Sequence, residues 1–170
     1  MRTAIATALA LTLLLCSSAR SSAAERAPTD TFVERAAGRS LAGMELSELA
    51  LQRCESPSVR RLARRAHDEQ AAAYEALLGV ATGASSTLKP PSTMDLEQRA
   101  VKSRLAGLRG REFDRAYVQA LRTNEDRDIA LYRSYAKDGK DEGLKAWAAD
   151  QLTLIRKRRQ LIESALAELK

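Results

Sequence analysis

The polar residues with the most chemical potential interrupt an otherwise apolar helical face. Between Gly110 and Gly139, apolar residues recur at spacings of three and four, which is the pattern of a buried helical face: Phe113, Ala116, Tyr117, Ala120, Leu121, Leu131, Tyr132 and Tyr135. Asn124 and Asp128 lie in the middle of that face, one turn apart. A buried carboxylate needs a cationic partner, because breaking a buried ion pair costs on the order of 3–5 kcal/mol. Asn124 and Asp128 are therefore the first candidate site residues.

Two other helical stretches carry a polar residue at the same depth. Gln70 interrupts the apolar stripe that follows Pro57, and Arg158 interrupts the stripe near the end of the chain. Counting outward from the turn at Asp138–Asp141 places Arg158 level with Asn124 and one turn from Asp128. We therefore predict a buried polar network of Gln70, Asn124, Asp128 and Arg158 with a charge pair between Asp128 and Arg158. The alternative is that both charged side chains reach the solvated edge of the bundle.

The metal-ligand content of the chain argues against the usual protein metal centres. A di-iron carboxylate site needs two Glu-x-x-His pairs, but the only histidine is His67, and Arg64 stands where the glutamate would be. Zinc requires three or four nitrogen or sulfur ligands, and His67 with Cys54 supplies two. The acidic turn at 138–142 lacks the alternating ligands of a calcium loop. We predict no metal and no cofactor, with His67 half-exposed at the surface.

No catalytic motif supports an enzymatic activity. The chain has no nucleophile elbow, no phosphate-binding glycine loop and no histidine-based triad. Serine–lysine chemistry remains open, but no pair of residues is singled out by spacing. We therefore expect a non-enzymatic protein.

The N-terminal residues predict export from the cytoplasm. Met1-Arg2 is a short positive region, residues 4–15 form a small apolar run, and residues 21–24 are small. This is the pattern of a secretory signal, so we predict a signal peptide at 1–24 and a single domain at 25–170, periplasmic or secreted. Cys16 directly follows the apolar run, which leaves lipid anchoring to the envelope through Cys16 as an alternative. No transmembrane helix is expected after processing.

The charge of the mature chain is mildly basic. Removing Arg2 and Arg20 leaves 26 basic residues against 22 acidic residues, a net charge of +4. The block Arg60, Arg61, Arg64, Arg65 falls opposite an apolar stripe and is predicted to be a solvated face. No nucleic-acid partner is expected, and the partners of the protein remain unknown from its sequence. With Cys16 removed or lipidated, Cys54 is the only cysteine left, so no internal disulfide is predicted.

The arrangement of helix signals predicts an all-α fold. The predicted helices are, in order, a first from Asp30 or Thr31 to about Cys54, a second from Ser56-Pro57 to about Gly83, a short one capped by Ser92 or Thr93, a long one from Gly110 to Gly139, and a last one from Asp141 to about Leu169. Strand-like alternation is absent, and Gly83–Thr93 is a linker by composition. Two helical pairs joined by a long crossover match the ferritin-like four-helix bundle, here with a short extra helix in the crossover.

One phrase resembles a known family. GREFDRAYVQALRTNEDRDIALYRSYAKDGKDEGLKAWAADQL is similar to the FDRxY phrase of exported bacterial ferritin-like proteins of unknown function, through these residues: Phe113, Asp114, Tyr117, Asp138, Gly139, Leu144 and Lys145. ESPSVRRLARRAHDEQAAAYEAL is similar to an earlier stretch of the family, and the resemblance covers nearly all of Asp30–Leu169. It implies a ferritin-like fold and no settled activity.

The chain departs from this family where the family carries its histidines. Gln70 and Asn124 stand at two of those positions, and Arg158 or a neighbour stands at the third. Gly43 replaces a glutamate that is common in the first helix of the family. Three hypotheses follow. The first is a metal-free envelope domain that acts in binding or stress protection, the second is a metal or redox protein with an unusual site, and the third is a binder of anionic envelope polymers.

Overall fold

Helices account for all the regular structure in the part of the chain that the structure describes. The computed structural model describes residues 10–84, 91 and 93–170, with side chains from Pro28 onward. The helices are α1 (Ala10–Arg53), α2 (Pro57–Gly83), α3 (Leu96–Ala106), α4 (Gly110–Asp138) and α5 (Glu142–Glu168). The predicted all-α class is confirmed. The basic N-terminus at Met1-Arg2 and linker positions 85–90 and 92 lie outside the described residues.

The four long helices form a bundle. α1 packs against α2 and α4, and α5 also packs against α2 and α4. Helices α1 and α4 are antiparallel, because Phe32 stacks on Tyr135 at one end and the amide of Glu55 reaches Asp114 at the other. The short helix α3 lies in the crossover and packs on α1 and α4. A helical bundle with an extra helix in the crossover is thus confirmed, and its ferritin-like character stays a prediction.

Three helix ends lie at the start and stop residues predicted from the sequence. Pro57 occupies the first turn of α2, and Gly139 follows the last residue of α4. Asp141 caps α5 by accepting a hydrogen bond from the amide of Leu144 at 2.8 Å. Proline is tolerated in a first turn because its missing N–H would be unpaired there.

Two predicted helix starts are wrong. Helix α1 begins at Ala10 and continues through Pro28, so it does not start at Asp30 or Thr31. The preceding residues are rich in alanine, which favours continuing the helix over capping it. Helix α3 is capped by Asp95, whose carboxylate accepts from the amide of Gln98 at 2.8 Å, and not by Ser92 or Thr93.

The apolar core is divided into two clusters. The cluster at the end where α1 meets α2 includes Phe113, Tyr117 and Ile162. The cluster at the opposite end is aromatic and contains Phe32, Tyr132, Tyr135 and Trp147. Its rings pack closely, with Phe32 stacked on Tyr135 at a centroid distance of 3.7 Å and Trp147 edge-on to Tyr132 at 5.3 Å. The predicted polar residues lie on the helix segments between the two clusters.

Candidate functional site

The four residues predicted from the sequence line one small cavity at the centre of the bundle. Gln70, Asn124, Asp128 and Arg158 are joined there by side chains from α1, α3 and α4. The cavity measures about 10 Å³, which is close to the smallest space that holds one water molecule. The centre of the bundle is therefore filled by its own side chains.

Arg158 is held by two glutamates. Its Nε donates to Glu125 Oε1 at 2.6 Å, and one terminal nitrogen donates to Glu69 Oε2 at 2.7 Å. Glu69 in turn accepts from Arg65 Nε at 2.7 Å, which links the buried centre to the surface of α2. The predicted pair between Asp128 and Arg158 is wrong. Glu125 takes the place predicted for Asp128, because it lies almost a turn earlier on α4 and is fully buried.

Asp128 pairs with α1 instead. Arg39 donates to Asp128 Oδ1 at 3.1 Å, and the Arg39 side chain is 25 % exposed while that of Asp128 is 4 % exposed. Burial raises the pKa of Asp128 to about 6, even though Arg39 and Arg158 both lower it. Burial disfavours a charged carboxylate, and here the nearby guanidinium groups offset only part of that cost.

Glu125 has a second cationic neighbour. Its Oε2 lies 3.7 Å from a terminal nitrogen of Arg159, and neither atom has a hydrogen-bond partner among the described residues. Burial raises the pKa of Glu125, against the pull of Arg158. Burial also opposes the charge of Arg158, but Glu125 and Glu69 together raise its pKa. The short contact to Arg158 is that of an ionised pair.

The two predicted amides do not bond to the charged pairs. Asn124 and Gln98 exchange two hydrogen bonds of 3.3 Å, which tie α3 to α4. Gln70 makes no side-chain hydrogen bond within the described residues and packs against Gly43 of α1. A Cβ atom at Gly43 would lie 2.7 Å from Gln70 Cγ. The side chain of Gln70 therefore occupies the space that a side chain at position 43 would fill.

Sequence reasoning missed four residues of the central layer: Arg39, Glu69, Gln98 and Glu125. Glu69 and Glu125 each adjoin a residue that was identified, Gln70 and Asn124. An apolar stripe marks one line along a helix, whereas a buried face in this bundle is wide enough to include the adjacent position. The positions of the two glutamates, next to Gln70 and Asn124, could therefore have identified them. The apolar stripe by itself did not.

The residues of the central layer do not fit a di-metal centre. Asp128 and Glu125 each already face a guanidinium group, and a cation between them would have to displace it. In the described part of the chain, no group of three or more His, Cys, Asp or Glu side chains is arranged to hold a metal ion. His67 is 38 % exposed, with its Nδ1 3.3 Å from Asp68. Cys54 is buried in the apolar cluster where α1 meets α2.

The FDRxY residues anchor the turn between α1 and α2. Asp114 is buried, and its carboxylate accepts from the amides of Glu55 at 3.3 Å and Ser56 at 2.7 Å. The side chain of Ser56 itself makes no capping bond. Tyr117 shares a 3.0 Å hydrogen bond with Ser47 of α1. Asp114 therefore caps α2 from a neighbouring helix, which is a structural role.

The family comparison agrees with this architecture. Residues 15–164 match the family described as Domain of unknown function (DUF4142). The chain belongs to this family. The predicted membership of a family of unknown function is thus confirmed. That the family is exported, and that the FDRxY phrase is typical of it, stay predictions. No curated protein matches the chain, and no solved structure matches it. Among the described residues, no helix is both long and apolar enough to cross a membrane.

Proposed function

We propose that this DUF4142 chain is an exported, metal-free helical domain of ferritin-like plan that acts by binding and not by catalysis. The observation that carries the proposal is the arginine in the central layer. Arg158 is buried between Glu125 and Glu69, at distances of 2.6 and 2.7 Å. A guanidinium group has no lone pair to donate to a metal, and its charge repels a cation. Both carboxylates are neutralised by protein groups.

The same layer leaves no room for a substrate. The cavity of about 10 Å³ is far below the size of a small-molecule site, which spans roughly 300–1,000 Å³. Spaces of that size lie on the outer faces of the bundle, where four arginines line each of them together with a smaller number of acidic residues. Binding at the surface is the activity that this distribution of space and charge favours.

Metal analysis of the protein purified from its native compartment tests the proposal. A ligand that binds only the native state stabilises it by an amount that grows with the logarithm of the ligand concentration over Kd. A protein that binds no metal therefore shows no change of melting temperature with a chelator. We expect no stoichiometric iron, manganese or zinc, and the same melting temperature with and without a chelator. A bound metal whose removal lowers the melting temperature, with recovery on adding it back, would contradict the proposal and favour the metal or redox alternative.

A second candidate function is binding to anionic envelope polymers through the arginine face of α2, which we define as Arg60, Arg61, Arg64 and Arg65. These side chains, with Glu55, Pro57, Asp68 and Glu69, line a surface depression of about 790 Å³. Arg60 is held by the carbonyls of Leu51 and Cys54, at 2.8 and 2.7 Å. Arg61 and Arg64 are exposed and make no ion pair within the described residues. They are free to contact a polyanion.

The salt dependence of binding tests this second candidate. The full chain is titrated with a soluble polyanion such as polyphosphate at two ionic strengths. Binding through exposed charges weakens as salt screens them. Arg61→Ala/Arg64→Ala should reduce binding, whereas Arg156→Ala/Lys157→Ala, which removes the same charge from exposed positions of α5, should not. Equal loss in both double variants would show that net charge, and not the arginine face, is responsible.

A further inference from the structure

A long groove runs along the junction of α1 and α4. One part of about 970 Å³ lies between α1, the end of the crossover and α4. A second part of about 320 Å³ lies beside residues 28–32 of α1. Arg35, Leu131 and Ser134 line both parts, so the two form one continuous surface groove with Arg35 at the junction.

The larger part is rich in guanidinium groups. Arg35, Arg39, Arg99 and Arg127 all line it. Arg39 is paired with Asp128, and Arg127 is paired with Glu97. Arg35 and Arg99 are exposed and make no ion pair within the described residues.

Two acidic residues also line the larger part. One of them, Asp95, is committed to capping α3. The other, Glu34, is exposed on α1. The cap hydrogen bond leaves Asp95 negatively charged, so four guanidinium groups and two carboxylates line the larger part. This excess of basic lining groups favours an anion.

The smaller part has an apolar floor. Its lining includes Pro28, Phe32, Leu131 and Tyr135. Asp138 and Lys140, whose charges are opposite, also line it. Phe32 and Tyr135 are stacked and buried, so they form a rigid floor that needs no rearrangement to receive an apolar group. A preformed apolar surface beside a few oriented polar groups is the usual composition of a small-molecule site.

We infer that this groove binds an amphiphilic anion, with its hydrocarbon part on Phe32, Leu131 and Tyr135 and its carboxylate or phosphate head at Arg35 and Arg99. Arg35 stands where the apolar part meets the charged part, so it reaches the head of a ligand whose tail lies in the smaller part. Arg99 approaches the same space from α3. The inference rests on the binding role proposed above and names the class of ligand.

The single tryptophan gives a direct readout. Trp147 is buried with its ring centroid 6.0 Å from that of Phe32, beneath the apolar part of the groove. The full chain is titrated with decanoate below its micelle concentration, and binding is followed by Trp147 fluorescence and by calorimetry. Decanol and acetate serve as ligands that lack the charge or the chain. We expect saturable decanoate binding that is at least tenfold tighter than that of either control ligand.

Matched variants locate the site. Arg35→Ala/Arg99→Ala should weaken decanoate binding at least tenfold with an unchanged melting temperature, because both side chains are exposed and unpaired. Arg156→Ala/Lys157→Ala removes the same charge from exposed positions of α5 and should leave binding unchanged. The inference is overturned if decanoate does not bind, if decanol or acetate binds equally well, or if both double variants lose affinity alike. None of these outcomes changes the result expected from the metal analysis. The proposal of a metal-free domain and the proposal of a ligand groove can therefore fail independently of each other.

Discussion

At the residue scale, the centre of the bundle contains two different kinds of ion pair. In the Glu125–Arg158 pair the two side chains are 0 % and 3 % exposed. In the Asp128–Arg39 pair, the arginine is 25 % exposed and can turn to solvent. A buried charge that loses its partner stays desolvated and uncompensated, whereas a half-exposed charge is rehydrated by solvent. The two pairs should therefore respond differently to mutation.

We predict that Glu125→Ala lowers the free energy of unfolding by about 3 kcal/mol, because Arg158 then keeps only Glu69. Glu125→Leu/Arg158→Leu should cost much less than the sum of the two single changes, since apolar packing replaces the pair. A double-mutant cycle by denaturant unfolding measures this coupling. The half-exposed pair of Arg122 and Glu163, at 3.6 Å, is the control, and its cycle should give under about 1 kcal/mol. Additive effects at Glu125 and Arg158 would contradict the prediction.

The raised pKa of Asp128 predicts a specific pH dependence of stability. The folded-state pKa of Asp128 is about 6, above the ordinary value of 3.8 for an aspartate, so the native state binds the proton more tightly than the unfolded state does. The stability contributed by this carboxyl group is then greatest below its unfolded pKa and is lost as pH rises through about 6. At neutral pH the loss amounts to roughly 3 kcal/mol, at 1.36 kcal/mol per pKa unit.

We therefore predict that Asp128→Asn, which mimics the protonated carboxyl group, raises the free energy of unfolding at pH 8 by up to about 3 kcal/mol. At pH 4 the variant and the parent chain should differ much less. Denaturant unfolding across pH 4–8 measures both curves. Asp150→Asn, at an exposed position of α5, is the control and should leave the shape of the curve unchanged. A variant that is less stable than the parent at pH 8 would show that the Arg39 pair outweighs the cost of burial.

At the element scale, helices α1 and α2 approach closely at one point. Gly43 faces Gln70, and a Cβ atom there would lie 2.7 Å from Gln70 Cγ and 3.0 Å from its Cδ. The nearer atom, Cγ, is placed by the first side-chain torsion of Gln70, so a rotation of the amide end alone does not relieve the overlap. The position of α1 relative to α2 thus depends on a residue without a side chain.

We predict that Gly43→Ala destabilises the chain by about 1–2 kcal/mol, because the overlap outweighs the gain of roughly 1 kcal/mol in helix propensity. Gly79→Ala is the matched control, since a Cβ at Gly79 meets nothing within 4 Å, and it should stabilise by about 0.5–1 kcal/mol. Gly43→Ala/Gln70→Ala should recover most of the loss. Thermal and denaturant unfolding of the three variants measure these effects, and a stabilising Gly43→Ala would show that Gln70 moves freely.

At the scale of the whole molecule, the sequence predicted the helices better than their contacts. Pro57, Gly139 and Asp141 mark helix ends through backbone chemistry that acts locally, and those ends were predicted correctly. The start of α1 and the cap of α3 depend on competition between adjacent weak signals, and both were predicted wrongly. Local pattern decides where a helix ends only when one signal dominates.

The partners in the central layer depend on how each helix is rotated about its axis. Successive residues on a helix are separated by about 100°, so an error of one residue exchanges a buried side chain for an exposed one. Arg158 was placed at the correct depth, but depth did not distinguish between two buried carboxylates three residues apart, and its partner is Glu125 and not Asp128. Likewise, Asp114 caps α2 from α4, a contact between residues more than fifty positions apart that no local pattern reveals.

Processing of the N-terminus is the remaining prediction at this scale. The aromatic cluster begins with Phe32, and the first buried side chain among the described residues is that of Thr29. Cleavage after Ala24 therefore precedes every described core residue, and we expect an exported protein that begins at Glu25. Intact-mass measurement of the exported protein checks this expectation.

Two variants separate cleavage at Ala24 from lipid attachment at Cys16. Ala24→Arg removes the small residue that cleavage requires, so it should leave the unprocessed mass. Cys16→Ser should leave the mass expected from a start at Glu25 unchanged, because Cys16 would lie in the removed segment. A diacylated mass that begins at Cys16 and is lost in Cys16→Ser would instead establish a lipid-anchored protein. The helical domain would then be held at the envelope by a tether that includes residues 16–24.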